Sequence, residues 1–210
     1  VLRYRPPTRG WRKVMDMEFA GLILAGGEGR RFGRPKAFAE LGDGQTFLLV
    51  CHQTLLAAGA NPVIATLPPG SENPGFDGLH VAVLPEPGID MFGSLKIGLH
   101  RLIEHEGWES VAIVPVDHPL VRQETVRTLM DVGQRAAIPS YRGKHGHPVF
   151  LGRAAAEAIA VGNEKGPTLR EVLRGSEALT IEVDDPGVVA NCNTPETLSA
   201  ALAKFRRSDD

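Results

Sequence analysis

Cysteine is scarce in this sequence: Cys51 and Cys192 stand far apart and without CxxC spacing. That excludes a disulfide framework and a cysteine-based zinc cluster, and a reducing cytoplasm is the compartment expected. A surplus of one charge is also missing, since 23 basic and 25 acidic residues leave a net charge of -2. Nucleic acid is therefore not an expected partner, because it calls for a broad basic surface. No apolar stretch approaches the roughly 20 residues of a membrane span, so a membrane is not an expected partner either. Internal repeats and low-complexity linkers are absent, which leaves one domain as the expectation for 210 residues of 42% hydrophobic content.

The opening sixteen residues, VLRYRPPTRGWRKVMD, carry four arginines, a lysine and two consecutive prolines but no apolar core. That is not the pattern of a signal peptide. They read as a disordered N-terminal extension, 1–16, or a start placed too far upstream, ahead of a single domain, 17–210.

Seven short β-branched or apolar runs recur along the rest: Phe19–Ala25, Pro62–Thr66, His80–Leu84, Ser110–Val116, Ala136–Tyr141, His147–Leu151 and Leu179–Val183. Several are apolar throughout, as strands covered on both faces are. Between them, Leu95, Leu99, Leu102 and Ile103 keep a helical stripe, as do Val126, Leu129 and Met130, and Leu198, Ala201, Leu202 and Phe205. Alternating strands and helices predict an α/β fold, a mainly parallel sheet whose sites lie at the carboxyl ends of its strands. Residues 141–147, between two strand runs, predict a hairpin or long turn that adds an antiparallel element.

The segment LILAGGEGRRFGRPKAF, residues 22–38, sets four glycines and four basic residues directly behind an apolar run. A Walker A loop would need glycine, lysine and then serine or threonine, but Lys36 lies between Pro35 and Ala37. A dinucleotide fingerprint would need glycine at position 32, where Phe32 stands, and Pro35 would fall inside the helix it requires. What remains is an extended loop from Gly26 to Lys36. Its glycines, Gly26, Gly27 and Gly29, let backbone N–H groups approach phosphate oxygens, while Arg30, Arg31, Arg34 and Lys36 supply fixed positive charge. Such a loop suits a triphosphate. Asp117, at the end of the buried run Val111–Val116, is placed to hold a hard cation bridging phosphates.

Leu24 to Lys36 resembles the L-A-[AG]-G-x-x-x-R-[MF]-G-x-x-K signature of the MobA-like nucleotidyltransferases, a family that includes the guanylyl- and cytidylyltransferases of molybdenum cofactor maturation. The likeness continues through Val116-Asp-His-Pro-Leu-Val121, Gly146-His-Pro-Val149 and Asn191-Cys-Asn-Thr-Pro-Glu-Thr-Leu198. It implies a three-layer, mainly parallel Rossmann-like sheet with helices on both faces, of the nucleotide-diphospho-sugar-transferase type. It also implies a cytoplasmic, Mg2+-dependent enzyme that joins the α-phosphate of a nucleoside triphosphate to a phosphorylated small-molecule acceptor. Molybdopterin is the acceptor implied, with pyrophosphate released.

By the same resemblance Arg31 and Lys36 act on the triphosphate and Asp117, with Asn193 and less directly Asn191, holds the metal. Leu24, Ala25, Gly26, Gly27, Gly29 and Arg30 line the nucleotide, Thr66 and Glu86 contact the base, and His147 contacts the acceptor. Ser94 reads either as a helix cap or as a nucleotide contact. His145 and His147 have no Cys or Asp pattern beside them and so are not expected to form a zinc site.

The nucleophile in such a transfer is already an oxyanion, which accounts for the lack of a Ser-His-Asp or paired-carboxylate constellation. The motifs at 116–121 and 146–149 and the Gly-Ser turn within Asp90–Leu95 favour CTP, whereas Gly26 and the Asn-Thr-Pro-Glu segment favour GTP. Transfer to a sugar phosphate, and a non-catalytic nucleotide-binding maturation factor that hands cofactor to an apo-molybdoenzyme, are the remaining alternatives.

Overall fold

A computed structural model describes residues 18–27, 29, 33–42, 44–131, 136–162, 169–174 and 178–206. The leader through residue 17 lies outside them, as do Arg30 and Arg31.

The seven expected runs all form strands of one sheet. In chain order the strands are β1 (Phe19–Leu24), β2 (Glu40–Gly42), β3 (Gln45–Thr46), β4 (Val63–Leu67), β5 (Leu79–Val83) and β6 (Ser110–Pro115). They continue with β7 (Ala137–Tyr141), β8 (Lys144–His145), β9 (Val149–Gly152) and β10 (Leu179–Glu182). The eight-stranded sheet runs β10-β7-β9-β6-β1-β4-β5, with β8 paired to β7, and β2 with β3 makes a separate hairpin. β1 is parallel to both β4 and β6, β5 is parallel to β4, and β10 to β7. β9 is antiparallel to β6 and β7. The sheet is therefore mixed with a mainly parallel core, and the turn at 141–147 makes the antiparallel hairpin. Its two tip residues, Arg142 (φ 51°) and Gly143 (φ 75°), both take positive φ, the backbone that a tight right-twisted hairpin needs.

The helices are α1 (Phe47–Ala58), α2 (Met91–Ile103), α3 (Gln123–Met130), α4 (Arg153–Val161), α5 (Leu169–Arg174) and α6 (Pro195–Arg206). Strand periodicity divides the core. In β1, Phe19 and Ile23 join α1 and α3 residues such as Phe47, Leu48 and Leu129 on one face. Ala20, Leu22 and Leu24 join α2 and α4 residues such as Leu95, Leu99 and Ile159 on the other. A buried strand with helices on both sides brings the carboxyl ends of β1, β4, β5 and β6 to one edge. Among the described residues no helix is long and apolar enough to cross a membrane.

α1 carries one polar exception to its apolar surroundings. His52 is buried and stacks on Phe76 at 5.9 Å, and among the described residues neither ring nitrogen has a hydrogen-bond partner. Burial holds its pKa below the ordinary imidazole value, against a smaller opposing pull from Asp77. The unfolded chain then binds the extra proton first, so stability is present above about pH 6.5 and falls as pH drops below it. Chemical denaturation of His52→Leu at pH 7 and pH 5 should show a gain of about 1 kcal/mol at neutral pH and a shallower acid loss.

Candidate active site

The loop after β1 is built on backbone pairing that outlasts the strand. The Ala25 N–H donates to the Thr66 carbonyl at 3.2 Å and lies at the same distance from Thr66 Oγ1. The Thr66 hydroxyl also reaches the Ile23 carbonyl at 3.4 Å and the Ser94 hydroxyl at 2.8 Å. Thr66 is 0% exposed and Ser94 4%. Expected at the nucleotide, these two side chains instead bond each other and hold the start of the loop. Nor is Ser94 the cap of α2, because the Asp90 carboxylate accepts from Gly93 N at 2.7 Å. Glu86 is exposed in the loop between β5 and α2.

The glycines differ in their reasons. A Cβ on Gly26 would come within 2.4 Å of Leu84 Cδ1 and 3.2 Å of Ser94 Oγ, so glycine packs there without a shift of the Leu84 side chain. Gly29 has φ +63°, and a Cβ would lie 2.0 Å from the Arg34 carbonyl oxygen and 2.6 Å from the Lys36 nitrogen. Gly27 is exposed, and among the described residues a Cβ there would meet nothing within 4 Å, which suits close approach of an anion to its backbone. Gly29→Ala should therefore displace the segment carrying Lys36. The expected loss is at least about tenfold in kcat/KM for the nucleotide, with about 1–2 kcal/mol of stability from the left-handed backbone. Steady-state kinetics and melting check both.

No helix begins in the described part of this loop. Pro35 leads into a single 3-10 turn, Lys36–Phe38. From there Lys36 Nζ sits 5.9 Å from the Phe47 ring centroid. It donates to Asn193 Oδ1 at 2.7 Å and lies 3.8 Å from Asp117 Oδ2. Three segments far apart in sequence thus meet at the carboxyl ends of β1 and β6. Two backbone bonds secure the meeting, Val116 N–H to the Leu24 carbonyl at 3.0 Å and Cys192 N–H to the Asp117 carbonyl at 2.8 Å.

Asp117 is held on its other oxygen too, by His118 Nδ1 at 3.0 Å. Burial pushes the Asp117 carboxyl upward, but the His118 hydrogen bond and the nearby His118, Lys36 and His147 together hold it below the usual carboxylate range. It is a carboxylate at neutral pH. Its oxygen and that of Asn193 are hard donors of the kind Mg2+ or Mn2+ accepts when phosphates and water complete the shell. Among the described residues no cluster of three or more His, Cys, Asp or Glu could hold an ion by itself. Both thiols are buried, and burial pushes Cys51 far above its ordinary value and Cys192 up to about 11, which disfavours their thiolates.

Beside this cluster lies a cleft of about 980 Å³, floored by Leu95, Ile113 and Ile138 and edged by Met91, Phe92, His145, His147 and Asn191. His147 packs edge-on against His118 at 4.7 Å, linking the cleft to the residue that holds Asp117. The side of the cleft near 186–191 is locked by Asp185, a buried residue with no motif to mark it. Its carboxylate accepts from Arg122 N at 2.9 Å, Thr125 Oγ1 at 2.7 Å and Gly187 N at 2.8 Å.

A sequence profile described as MobA-like NTP transferase domain matches residues 21–181. The molybdenum cofactor guanylyltransferase of Rhodobacter capsulatus is 29% identical over 203 residues, covering 91% of this chain and 99% of that protein. Rv0371c from Mycobacterium tuberculosis H37Rv superposes with a TM-score of 0.75 at 23% identity, covering 89% of this chain and 99% of its own. Its complex with manganese gives 0.69 at 22%, with the same coverage of 89% and 99%. The 2-C-methyl-D-erythritol 4-phosphate cytidylyltransferase of Thermus thermophilus gives 0.65 at 23%, covering 90% and 100%. The structural likenesses establish the fold, that of the nucleotide-diphospho-sugar transferases.

Proposed function

Because this chain belongs to the MobA-like NTP transferase family, and so is a nucleotidyltransferase, we propose that it transfers GMP from GTP to the phosphate of molybdopterin and releases pyrophosphate. The observation that carries this reading is the convergence of Lys36, Asp117 and Asn193 beside an exposed Gly27 and a large cleft. A binding module would need the loop; it would not need a carboxylate and an ammonium aimed at the same point. GTP is preferred over the CTP of the sequence-based expectation because a curated relative covered over nearly its whole length is a guanylyltransferase. CTP keeps the motifs at 116–121 and 146–149, both of which reach the cleft, through His118 and through Gly146, His147 and Val149.

An acceptor phosphate oxygen attacks the α-phosphorus in line, the α–β bridging P–O bond breaks, and its electrons leave with pyrophosphate. No proton has to be removed from the nucleophile, so positioning and charge neutralisation dominate. The backbone of Leu24, Ala25, Gly26, Gly27 and Gly29 cradles the nucleotide, and Glu86 stands beside the β5 end for the base. Lys36, with Arg30 and Arg31 from the stretch outside the described residues, neutralises the phosphates. Asp117 and Asn193 would hold Mg2+ or Mn2+, which when bound spreads the charge developing on the α- and β-phosphates. The manganese complex of Rv0371c supports a divalent ion in this role. His147 faces the acceptor cleft, whose apolar floor suits a broad heterocycle better than a polyol phosphate. An apo-molybdoenzyme remains the partner to which the product would pass.

Competition binding with GTP, CTP, ATP and UTP tests the base. GTP should displace a fluorescent guanine nucleotide at least about tenfold more effectively than CTP, a difference of about 1.4 kcal/mol. The reverse order would move the proposal to cytidylyl transfer.

A further inference from the structure

Building on that proposed function, we infer that the Lys36 ammonium is the resident counter-ion of the divalent-metal site: it holds the Asp117 and Asn193 oxygens until the triphosphate draws it away, so metal binds with nucleotide and only weakly before it.

The geometry is specific about which atoms are involved. An ammonium only donates, so the Asn193 atom facing Lys36 at 2.7 Å is its oxygen, the atom a metal would need. Of the two Asp117 oxygens, Oδ1 is engaged by His118 at 3.0 Å, and Oδ2, the one left for a metal, faces Lys36 at 3.8 Å. The Lys36 and Asp117 side chains are 12% and 15% exposed, so solvent screens their charges little. The ammonium is held there by more than charge, since Lys36 also packs over the Phe47 ring.

A divalent ion on these oxygens would need to approach each to about 2.0–2.1 Å. With an ammonium already 2.7 Å from the Asn193 oxygen, ion and ammonium would be close neighbours of like charge. The Asp117 carboxylate already faces the Lys36 ammonium, so a bare cation gains less there than it would at a carboxylate facing no positive charge. A triphosphate changes the balance. It brings enough negative charge to accept the ammonium and the metal together, and the lysine's four-carbon stem can swing while the proline-led turn at Lys36–Phe38 stays fixed.

Mn2+ binding, followed by the electron paramagnetic resonance signal of the free ion, tests this on the full chain with and without the non-reacting α,β-methylene analogue of GTP. Wild-type protein should bind Mn2+ alone weakly, and at least tenfold more tightly with the analogue. Lys36→Met keeps the apolar stem and removes the charge; it should bind Mn2+ alone at least tenfold more tightly than wild type, with most of the nucleotide effect lost. Equal Mn2+ affinity of wild type and Lys36→Met without nucleotide would overturn the inference. Should that variant fail to fold, lysine side-chain NMR of the wild type decides. Mg2+ alone at submillimolar concentration should leave the Lys36 ε-carbon resonance in place, and Mg2+ with the analogue should shift it. A saturable shift with Mg2+ alone would contradict the counter-ion role. These readouts do not depend on turnover, so a protein that shows them but transfers no nucleotide would refute the proposed function and leave the inference standing.

Discussion

Replacing Asp117 with alanine is expected to lower kcat by about a thousandfold or more while the protein stays folded, because the variant removes charge at the reacting phosphates rather than a packing group. The fold should survive for a stated reason: the backbone carbonyl that accepts from Cys192 N–H at 2.8 Å is still present in the variant. Asp117→Asn separates charge from shape. The amide keeps an oxygen for the His118 hydrogen bond but cannot neutralise a cation, and it should be nearly as inactive. Steady-state pyrophosphate release with a thermal melt on the same sample checks both variants. Activity above a tenth of wild type in either one would remove Asp117 from the reaction.

The second large effect is on stability. A Cβ on Gly187 would lie 2.0 Å from the Leu120 carbonyl oxygen and 2.5 Å from its carbon, so backbone would have to move. Gly146 meets the Val188 carbonyl oxygen in the same way, at 2.0 Å. These glycines let three segments, 117–120, 146–148 and 186–191, lie against one another. Asp185 ties the last of them to the start of α3 through Arg122 N–H and the Thr125 hydroxyl. Gly187→Ala should cost about 3 kcal/mol, roughly 10 °C in Tm for a chain of this size, and lower activity by disturbing the support of Asp117. Urea denaturation measures it, and a variant within 1 kcal/mol of wild type would show that the contact yields freely.

The central strands were legible because their residues are apolar on both faces, a pattern that β1 keeps throughout and β6 keeps after Ser110; the short β2–β3 hairpin, polar and partly exposed, carries no such signal. α1 was not, and the reason is local: Leu49, Val50 and Leu56 are apolar on its outer side, so no polar face marks a helical period. Lys36 and Asp117 were legible through the motifs that contain them. The parts played by Thr66 and Ser94 were not, since a hydroxyl in an apolar stretch looks the same whether it faces a ligand or another hydroxyl 2.8 Å away. Gly26 had read as a sign of guanine. The Leu84 side chain supplies a packing reason for that glycine, so base choice must be argued from elsewhere. The Asp185 bond to Gly187 N–H is local to an Asp-Pro-Gly turn, but its bonds to Arg122 and Thr125, 63 and 60 residues away, leave no trace in the sequence.

Transfer of label tests the central claim most directly. Protein, Mg2+, molybdopterin and GTP labelled at the α-phosphate should yield label on the pterin product together with an equal amount of pyrophosphate, and no pyrophosphate when molybdopterin is left out. Label that stays in GTP, or appears only as free GMP with any of the four nucleotides, would contradict a nucleotidyl transfer to this acceptor.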